Sequence, residues 1–525
     1  MRSPARVPRG RGGGRELTGT VAEPLEAPPL APATAARNTA FALAIQLTSA
    51  AFTAVTTLYL VRKLGASGYG VFALAVGIGT LVALAADLGI TQSAERFIAE
   101  RRADREQVRA VVLDALRLKL VAAAVVCGGL VALAEPIANA YGNDELVWPL
   151  RAVALAVLGQ STMFLYRGTF VALGRVVLGW RMTAIESAVE AAATIAIVAA
   201  GAGAAGAAWG RAAGYCVGAA IGALLLQRAL GRRGRAPAGR GPGRRRLARY
   251  AGVLLIVNAA FTVFEQIDVV LIGAIVSTTA VGVFEAPLRL TVFLGYAGQA
   301  LAFGVAPRLA RGGERKPDVR GFESALRYLV LVQAALLAPV LVWATPIVDL
   351  VLGDGYGQSA GVLRTLAPFV MMSAIGTFVT LAVNYLGEAS RRVPLALAAV
   401  LVNVVIDLAL IPQIGVLGGA VGTDVAFALY VAGHLWICRR LLGFDPRPLV
   451  RVAAAALAAA AAMAAVLAVF GTSALSAPEW IAGGLLGLAA YVAVLVVTGT
   501  VSGDEAARLV RLLRAPRRQA GEPSS

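Results

Sequence analysis

Charged residues lie within the apolar stretch 250–290, where a charge is costly unless it has a partner. Glu265 and Asp268 fall in one long apolar segment, and Arg289 falls in the next. Asp268 and Arg289 are at similar depth when counted from the turn between the segments, which predicts an ion pair. Glu265 lies on the same helix face as Asp268, because residues three apart on a helix are neighbours. Such charges normally face a bundle interior or a water-filled path, so we interpret all three as cavity residues.

The predicted pair allows two interpretations. It would fix only the contact between the two helices, as buried ion pairs often do. Alternatively, Asp268 is a carboxylate that couples an ion to movement of the protein. Asp407 and Asp424, in two later segments, are also at similar depth. Two carboxylates brought close could share a proton or hold Na⁺, because like charges disfavour full ionisation. Asp268, Asp407 and Asp424 are therefore ion-coupling candidates.

A second set of charged residues lies in the first half of the chain. Glu186 and Glu190 share one face of a predicted helix, and Arg167 and Arg211 fall in the segments on either side of it. Arginine is suited to bidentate contact with phosphate, so both arginines are candidates for binding an anionic substrate. Two glutamates opposite two arginines leave no net positive charge, which favours internal pairing instead. Both interpretations stay open.

The sequence offers no arrangement typical of an enzyme. It has no nucleophile elbow, phosphate-binding loop or metal-ligand cluster, and no soluble domain large enough for a catalytic site. The only histidine, His434, lies about one turn from a predicted helix end, and we interpret it as interfacial and inert. The cysteines fall in or beside apolar segments without metal-binding spacing and are predicted to pack in the core: Cys127, Cys216 and Cys438. We predict no catalytic residue, metal or cofactor.

The elements that position these residues are transmembrane helices. The 525 residues are 58% hydrophobic and only 15% charged, with a mean hydropathy of +0.75. Soluble proteins have about 25% charged residues, so the composition is that of a multi-pass, all-α membrane protein. Fourteen apolar segments are long enough to span a bilayer: 39–61, 70–91, 116–135, 147–173, 177–200, 205–227, 250–276, 280–306, 323–349, 360–386, 393–412, 417–438, 449–470 and 479–501.

The charge pattern predicts the orientation. Most of the 48 Lys and Arg residues fall in alternate loops and in both tails, as cytoplasmic loops do. The net charge of +18 therefore reflects topology beside anionic lipid, and we predict no nucleic-acid partner. The predicted organisation is a disordered basic tail (1–36), an N-lobe of six segments (37–227), a basic linker (228–249), a C-lobe of six segments (250–438), two further segments (449–501) and a second cytoplasmic tail (502–525).

Two short patterns recur at one offset. The sequence that begins at Gly70 (GVF) recurs 212 residues later at Gly282, and each opens an apolar segment. The pattern that begins at Gly203 (GAAGAA) recurs at the same offset at Gly415 (GVLGGA). Because six segments is an even number, both halves enter the membrane from the same side. The sequence therefore predicts two parallel six-helix repeats with a substrate site between them.

Four stretches carry a family resemblance: LVRKLGASGYGVFALA (60–75), ADLGITQSAERFIAE (86–100), EQIDVVLIG with VGVFEAPLRL (265–290) and LVNVVIDLALIPQIGVLGGAVGTD (401–424). They resemble the Wzx-like polysaccharide transporter (O-antigen flippase) family of the multidrug/oligosaccharidyl-lipid/polysaccharide exporter superfamily. The resemblance covers about residues 38 to 500. Asp407 and Asp424 depart from its pattern, which usually has uncharged polar residues there.

The resemblance implies a flippase of the cell membrane that uses alternating access. Its expected substrate is an oligosaccharide linked to undecaprenyl pyrophosphate, moved from the inner to the outer leaflet and driven by H⁺, Na⁺ or the membrane potential. A drug/cation antiporter and a lipid II flippase of the same superfamily are alternatives. A glycan polymerase or ligase would need long extracytoplasmic loops. The alanine-rich segment 449–470 predicts either close helix packing or a shallow groove for lipid, unless it only reflects base composition.

Overall fold

The structure is a computed structural model that describes residues 32–231, 244–294 and 317–502, together with Val305 and Leu309. The predicted N-terminal tail, the centre of the basic linker and the C-terminal tail lie outside the described residues, so the predictions about them stay predictions.

All regular structure in the described ranges is helical, which confirms the predicted fold class. Short 3₁₀ turns at Asp144–Leu146 and Ala389–Arg391 accompany the α-helices. These are α1 Pro32–Asp87, α2 Ile90–Glu100, α3 Arg105–Ala132, α4 Ala134–Ala140, α5 Val147–Ala172, α6 Val176–Ala199, α7 Gly203–Leu230, α8 Arg244–Ile275, α9 Thr278–Leu294, α10 Val319–Val342, α11 Ala344–Val351, α12 Ser359–Thr365, α13 Ala367–Tyr385, α14 Arg392–Ile414, α15 Val416–Leu442, α16 Arg447–Val469 and α17 Ala477–Val497.

The first helix consists of two membrane-spanning arms, α1a (32–64) and α1b (66–87). Gly65 between them has φ 64° and ψ −178°, a backbone conformation that favours glycine. In a straight helix Thr53 and Val76 would be about 35 Å apart, at 1.5 Å per residue. They line one cavity, so the arms fold back on each other. This break produces the first two of the predicted spans.

The described helices account for fourteen spans. Ten, counting α1 once, are long and apolar enough to cross a bilayer, and α1 contributes two arms. The pair α3 and α4, bent by 51°, adds one span. The last two are α8 and α9, which have 32 and 17 described residues. The number and order agree with the sequence prediction.

The two ends of the bundle differ in charge. We call one the basic end, because the loops 101–104 and 174–175 carry arginines there and the last turn of α15 carries Arg439 and Arg440. We call the other the acidic end, where Asp144, Glu145 and Asp354 lie in the connections between helices. The alternating direction of the helices places the start of α1 and the end of α17 at the basic end.

The two extra helices pack on the outside of the C-lobe. Helix α16 contacts α10 and α17. Its Ala456 and Ala459 are fully buried, so its small side chains bring it close to its neighbours. Its other side is exposed, with Val450 at 65% and Val469 at 85% of full exposure, as expected of a surface that faces lipid. Close packing is therefore the role that the structure supports for its alanines.

Candidate functional site

A cavity of about 290 Å³ lies between the lobes. Both arms of α1 line it, together with α5, α6, α7 and α9. Six charged side chains face it, and five of them are among the residues singled out from the sequence: Arg167, Glu186, Glu190, Arg211, Glu285 and Arg289. The cavity therefore contains three cations and three carboxylates. Which of them form ion pairs with each other determines what the cavity can bind.

Arg211 is paired within the N-lobe. Its guanidinium Nη1 donates to Glu190 Oε1 at 2.8 Å, and Nη2 donates to the Tyr215 hydroxyl at 3.1 Å. Glu186, one turn earlier on α6, accepts from the Ser187 hydroxyl at 3.0 Å and lies in the electrostatic field of Arg211. The internal pairing considered from the sequence is therefore present for Arg211.

The predicted Asp268–Arg289 ion pair is wrong. Arg289 pairs with Glu285, one turn earlier on the same helix, at 2.5 Å. A partner at i−4 lies on the same helix face and needs no particular packing between helices, which favours the local pair. The Glu285 side chain is 5% exposed and that of Arg289 is 39% exposed. Arg289 therefore faces the cavity with its charge largely balanced.

Arg167 is the cavity arginine without a carboxylate partner. Its guanidinium lies over the ring of Phe164, 4.3 Å from the centroid, and among the described residues it makes no ion pair or hydrogen bond. Glu95 and Glu186 are near enough to attract it electrostatically. Stacking on an aromatic ring holds the flat group in place while its N–H groups stay available to an anion.

A second cavity of about 390 Å³ begins at Phe164 and extends towards the basic end. Asp87 at the end of α1 and Arg392 at the start of α14 lie in its wall. Lys119, only 2% exposed, pairs there with Asp87 and donates to the Thr91 hydroxyl. The rest of the wall is mainly neutral: amides, hydroxyls and two phenylalanines, with Gln92, Gln160, Ser161, Thr262, Phe164 and Phe261 among them.

Asp268 belongs to a separate buried cluster within the C-lobe. It accepts from the Asn403 amide at 2.9 Å and from the Thr423 hydroxyl. The Asp407 carboxylate faces that of Asp268, and neither of its oxygens has a donor among the described residues. Asn403 Oδ1 likewise has no partner there, and Asn403 and Asp407 are both 0% exposed. Two carboxyl groups, an amide oxygen and a hydroxyl therefore form a set of oxygen ligands in the C-lobe.

The predicted pairing of Asp407 with Asp424 is therefore wrong. Asp424 accepts from the backbone N–H of Phe369 at 2.8 Å, near the start of α13. Neighbouring residues on one helix, 423 and 424, point about 100° apart, so only Thr423 reaches Asp268. Asp407 on α14 faces Asp268 on α8 instead. This cluster combines two of the three ion-coupling candidates.

Two further predicted residues differ from expectation. Glu265 is exposed, with Arg289 and Glu285 as its electrostatic neighbours, and it does not line the two cavities described above. His434 is not interfacial, because its side chain is 0% exposed. Its Nδ1 lies 2.8 Å from the Tyr430 carbonyl and its ring packs on the Tyr430 ring. Packing against the neighbouring turn explains this burial.

The lobes meet tightly at the acidic end. A Cβ on Gly70 would overlap the carbonyl oxygen of Thr278, and a Cβ on Gly282 would overlap that of Ala66. These two contacts are related by the repeat offset of 212 residues. The Tyr356 hydroxyl also donates to the Val61 carbonyl at 3.2 Å. The space between the lobes is therefore closed at this end.

Several site residues escaped the sequence analysis. Glu285 stands one turn before Arg289, and Asn403 stands one turn before Asp407, so a search for polar residues four apart within apolar segments would have found both. Lys119 lies at the edge of a predicted segment and reads as a cytoplasmic loop charge. Thr423 had no distinguishing signal, because hydroxyl residues are common in membrane helices and bond to their own backbone.

Comparison with known proteins gives the family and the fold. A model of the family described as "Polysaccharide biosynthesis protein" matches residues 35–307, more than half of the chain. A protein of Haloferax volcanii named "Probable low-salt glycan biosynthesis flippase Agl15" is 21% identical over 380 residues, which cover 72% of this chain and 77% of that protein.

Solved structures of low sequence identity share the fold. The lipid II flippase MurJ in an inward closed conformation superimposes with a TM-score of 0.71 at 11% identity, over 87% of this chain and 98% of that one. An inward-facing multidrug resistance MATE family transporter of the MOP superfamily gives 0.59 at 15% identity, over 75% and 94%. These similarities show the architecture alone.

Proposed function

This chain belongs to the polysaccharide biosynthesis protein family, and on that basis we propose that it is a flippase for a lipid-linked glycan precursor. The glycan head group enters the inter-lobe cavity from the basic end, which is cytoplasmic, and leaves at the acidic end. The resemblance noted from the sequence suggests an undecaprenyl pyrophosphate carrier. The named activity of the Haloferax volcanii relative supports the glycan substrate.

The observation that carries this proposal is the free guanidinium of Arg167 in the inter-lobe cavity. Arg211 and Arg289 have carboxylate partners, whereas Arg167 has an aromatic support and N–H groups without an acceptor among the described residues. A phosphate can accept two parallel hydrogen bonds from such a group. In a cavity shielded from bulk water that contact is stronger than at a surface. Arg167 therefore binds the phosphate that links lipid to glycan.

The second cavity then holds the sugars. Phe164 borders both cavities. When the linking phosphate is bound at Arg167, the sugar attached to it therefore lies beside the neutral wall of the second cavity. Side-chain amides and hydroxyls can both donate to and accept from sugar hydroxyls. Ser161 Oγ and Gln92 Oε1 are buried atoms without a partner among the described residues, and both residues line this cavity. A neutral polar wall suits an uncharged or weakly charged glycan.

The Asp268 cluster binds the coupling ion. Hard monovalent and divalent cations prefer oxygen ligands, and Na⁺ matches the two carboxylates, the Asn403 oxygen and the Thr423 hydroxyl. Within the described ranges no group of three His, Cys, Asp or Glu side chains converges, which is unlike a transition-metal site. Binding of one cation would balance part of the charge of Asp268 and Asp407 and draw α8, α14 and α15 together.

One observation favours a second candidate, an exporter of organic cations. Glu186 is buried in the cavity wall, accepts a hydrogen bond from the Ser187 hydroxyl and forms no ion pair among the described residues. A carboxylate without a bound arginine suits a cationic drug, and the MATE transporters share the fold. The two functions differ in what accumulates when the protein is absent.

Deletion of the gene in its host tests the proposal. We expect lipid-linked oligosaccharide to accumulate in the inner leaflet, where an external lectin or glycosidase cannot reach it, and surface glycan to fall. Complementation with the wild-type gene restores the glycan, and complementation with Arg167→Gln does not. Unchanged lipid-linked glycan together with increased sensitivity to cationic dyes would favour the drug exporter instead.

A further inference from the structure

Two helix pairs occupy equivalent places in the repeat. The glycine spacing of α7 recurs in α15 at the offset of 212 residues. The packing of these helices is equivalent as well: a Cβ on Gly210 would overlap Thr194 of α6, and a Cβ on Gly422 would overlap Asp407 of α14. Thr194 therefore corresponds to Asp407 in the structure.

The matched contact fixes the correspondence of the neighbouring polar residues. Glu190, one turn before Thr194, corresponds to Asn403, one turn before Asp407. Arg211, which follows Gly210, corresponds to Thr423, which follows Gly422. The N-lobe thus carries its own version of these positions of the Asp268 cluster, and at all three a charged residue in one lobe is matched by a neutral residue in the other.

The two versions differ in the source of positive charge. In the C-lobe, Asp268 and Asp407 face each other, and no Lys or Arg among the described residues pairs with either. In the N-lobe, Arg211, at the position equivalent to Thr423, binds Glu190 at 2.8 Å and the Tyr215 hydroxyl. A cationic side chain thus pairs with a carboxylate in the first lobe, whereas in the described part of the second lobe none pairs with Asp268 or Asp407.

We propose that Arg211 is a resident cation, which fills permanently in the N-lobe the place that an exchangeable Na⁺ takes in the C-lobe. This inference rests on the proposed ion coupling. It follows that each chain binds one Na⁺, that the charge of the N-lobe stays constant through the transport cycle, and that Arg211 is a positioning residue. The substrate anion is left to Arg167.

Sodium binding to the purified full-length protein in detergent tests this inference without any glycan. Equilibrium dialysis with radioactive sodium should give one bound ion per wild-type chain. Thr423→Arg inserts a guanidinium at the C-lobe site and should bind none. The double variant Arg211→Thr with Thr194→Asp removes this guanidinium and places a carboxylate one turn from Glu190, and it should bind two. Arg211→Lys keeps the resident charge and should still bind one.

The results that would overturn the inference are equally specific. Two ions or none on the wild-type protein would contradict it, and this count needs no variant to fold. One ion on a monodisperse Arg211→Thr, Thr194→Asp protein would show that the N-lobe position is not a cation site. Because the measurement uses no lipid-linked glycan, loss of the sodium result leaves the flippase proposal standing, and failure of glycan transport leaves the ion count unaffected.

Discussion

The three cavity arginines have different surroundings, and these decide their roles. Arg211 is held by Glu190, and Arg289 is held by Glu285. Arg167 rests on an aromatic ring with its N–H groups directed to no carboxylate within ion-pair distance in the described part of the chain. The three arginines of this cavity therefore differ in their capacity to bind an anion.

Arg167→Gln should abolish most transport without loss of folded protein. A hydrogen bond to a charged group contributes about 1.5–3 kcal/mol, so substrate binding should weaken by roughly ten- to hundredfold. Arg167→Lys retains the charge but not the bidentate geometry and should have intermediate activity. Arg151→Gln, at the acidic end and outside the cavity, is the matched control. Equal surface glycan in all three variants would exclude Arg167 from substrate binding.

Glu285→Gln should lower the stability of the protein, because Glu285, and not Asp268, is the ion-pair partner of Arg289. The substitution leaves Arg289 without its partner, and breaking a fully buried pair costs about 3–5 kcal/mol in soluble proteins. The cost here should be smaller, because Arg289 is partly exposed to the cavity. Removing both charges, with Glu285→Gln and Arg289→Gln, should restore much of the loss. The midpoint of thermal unfolding measures this, and additive losses in the double variant would show that the pair contributes nothing.

This pair also shows where residue-level prediction from sequence ends. Apolar patterning and charge identified Asp268, Arg289 and Asp407 as polar residues inside the bundle; Asp268 and Asp407 are buried, and Arg289 faces the cavity. Their partners depend on helix rotation and on which helices touch, which periodicity does not specify. A one-residue change in rotation turns a side chain by about 100°, enough to bring Thr423 rather than Asp424 to the cluster that contains Asp407.

At the scale of helices, the lobes are closed where matched glycines meet. Gly70 of α1b and Gly282 of α9 allow each helix backbone to lie against the carbonyl groups of the other. Both positions belong to the sequence repeat, and the structure shows that they are in contact. Transport by the proposed alternating access would require this contact to separate, so we propose that it is a gate at the acidic end.

Gly70→Ala should prevent the acidic end from closing, because the added Cβ would overlap the Thr278 carbonyl. Val281, 0% exposed in α9, is a suitable reporter when replaced by cysteine in a chain without the three native cysteines. We expect a membrane-impermeant thiol reagent to label it from outside in the Gly70→Ala background only. Gly128→Ala, whose Cβ meets nothing within 4 Å, is the control. Equal labelling in both backgrounds would refute the gate.

At the scale of the whole molecule, span number and helix order followed from apolar length and loop charge. Both are properties of the chain in lipid and need no knowledge of packing, which explains why fourteen spans could be predicted. The orientation in the membrane remains a prediction from the arginine-rich loops. Cavities, by contrast, arise from the arrangement of all helices and could be located from sequence only as charges within apolar segments.

Reporter fusions test the orientation. Fusions after Gly142 and Gly355 should report the periplasmic or external side, and fusions after Arg240 and Ala515 should report the cytoplasm. The physical reason is the excess of Lys and Arg in the loops of the basic end. A cytoplasmic signal at Gly355 would contradict both the alternation of the helices and the proposed direction of transport.

The central claim is that this protein moves a lipid-linked glycan through the cavity that contains Arg167. The most direct measurement is reconstitution in liposomes with a fluorescent lipid-linked oligosaccharide and an imposed Na⁺ gradient, followed by an impermeant quencher. With the wild-type protein the quencher should reach substrate from both leaflets. With Arg167→Gln, as in protein-free liposomes, it should reach only the outer-leaflet fraction. Wild-type protein that behaves like protein-free liposomes would contradict the account.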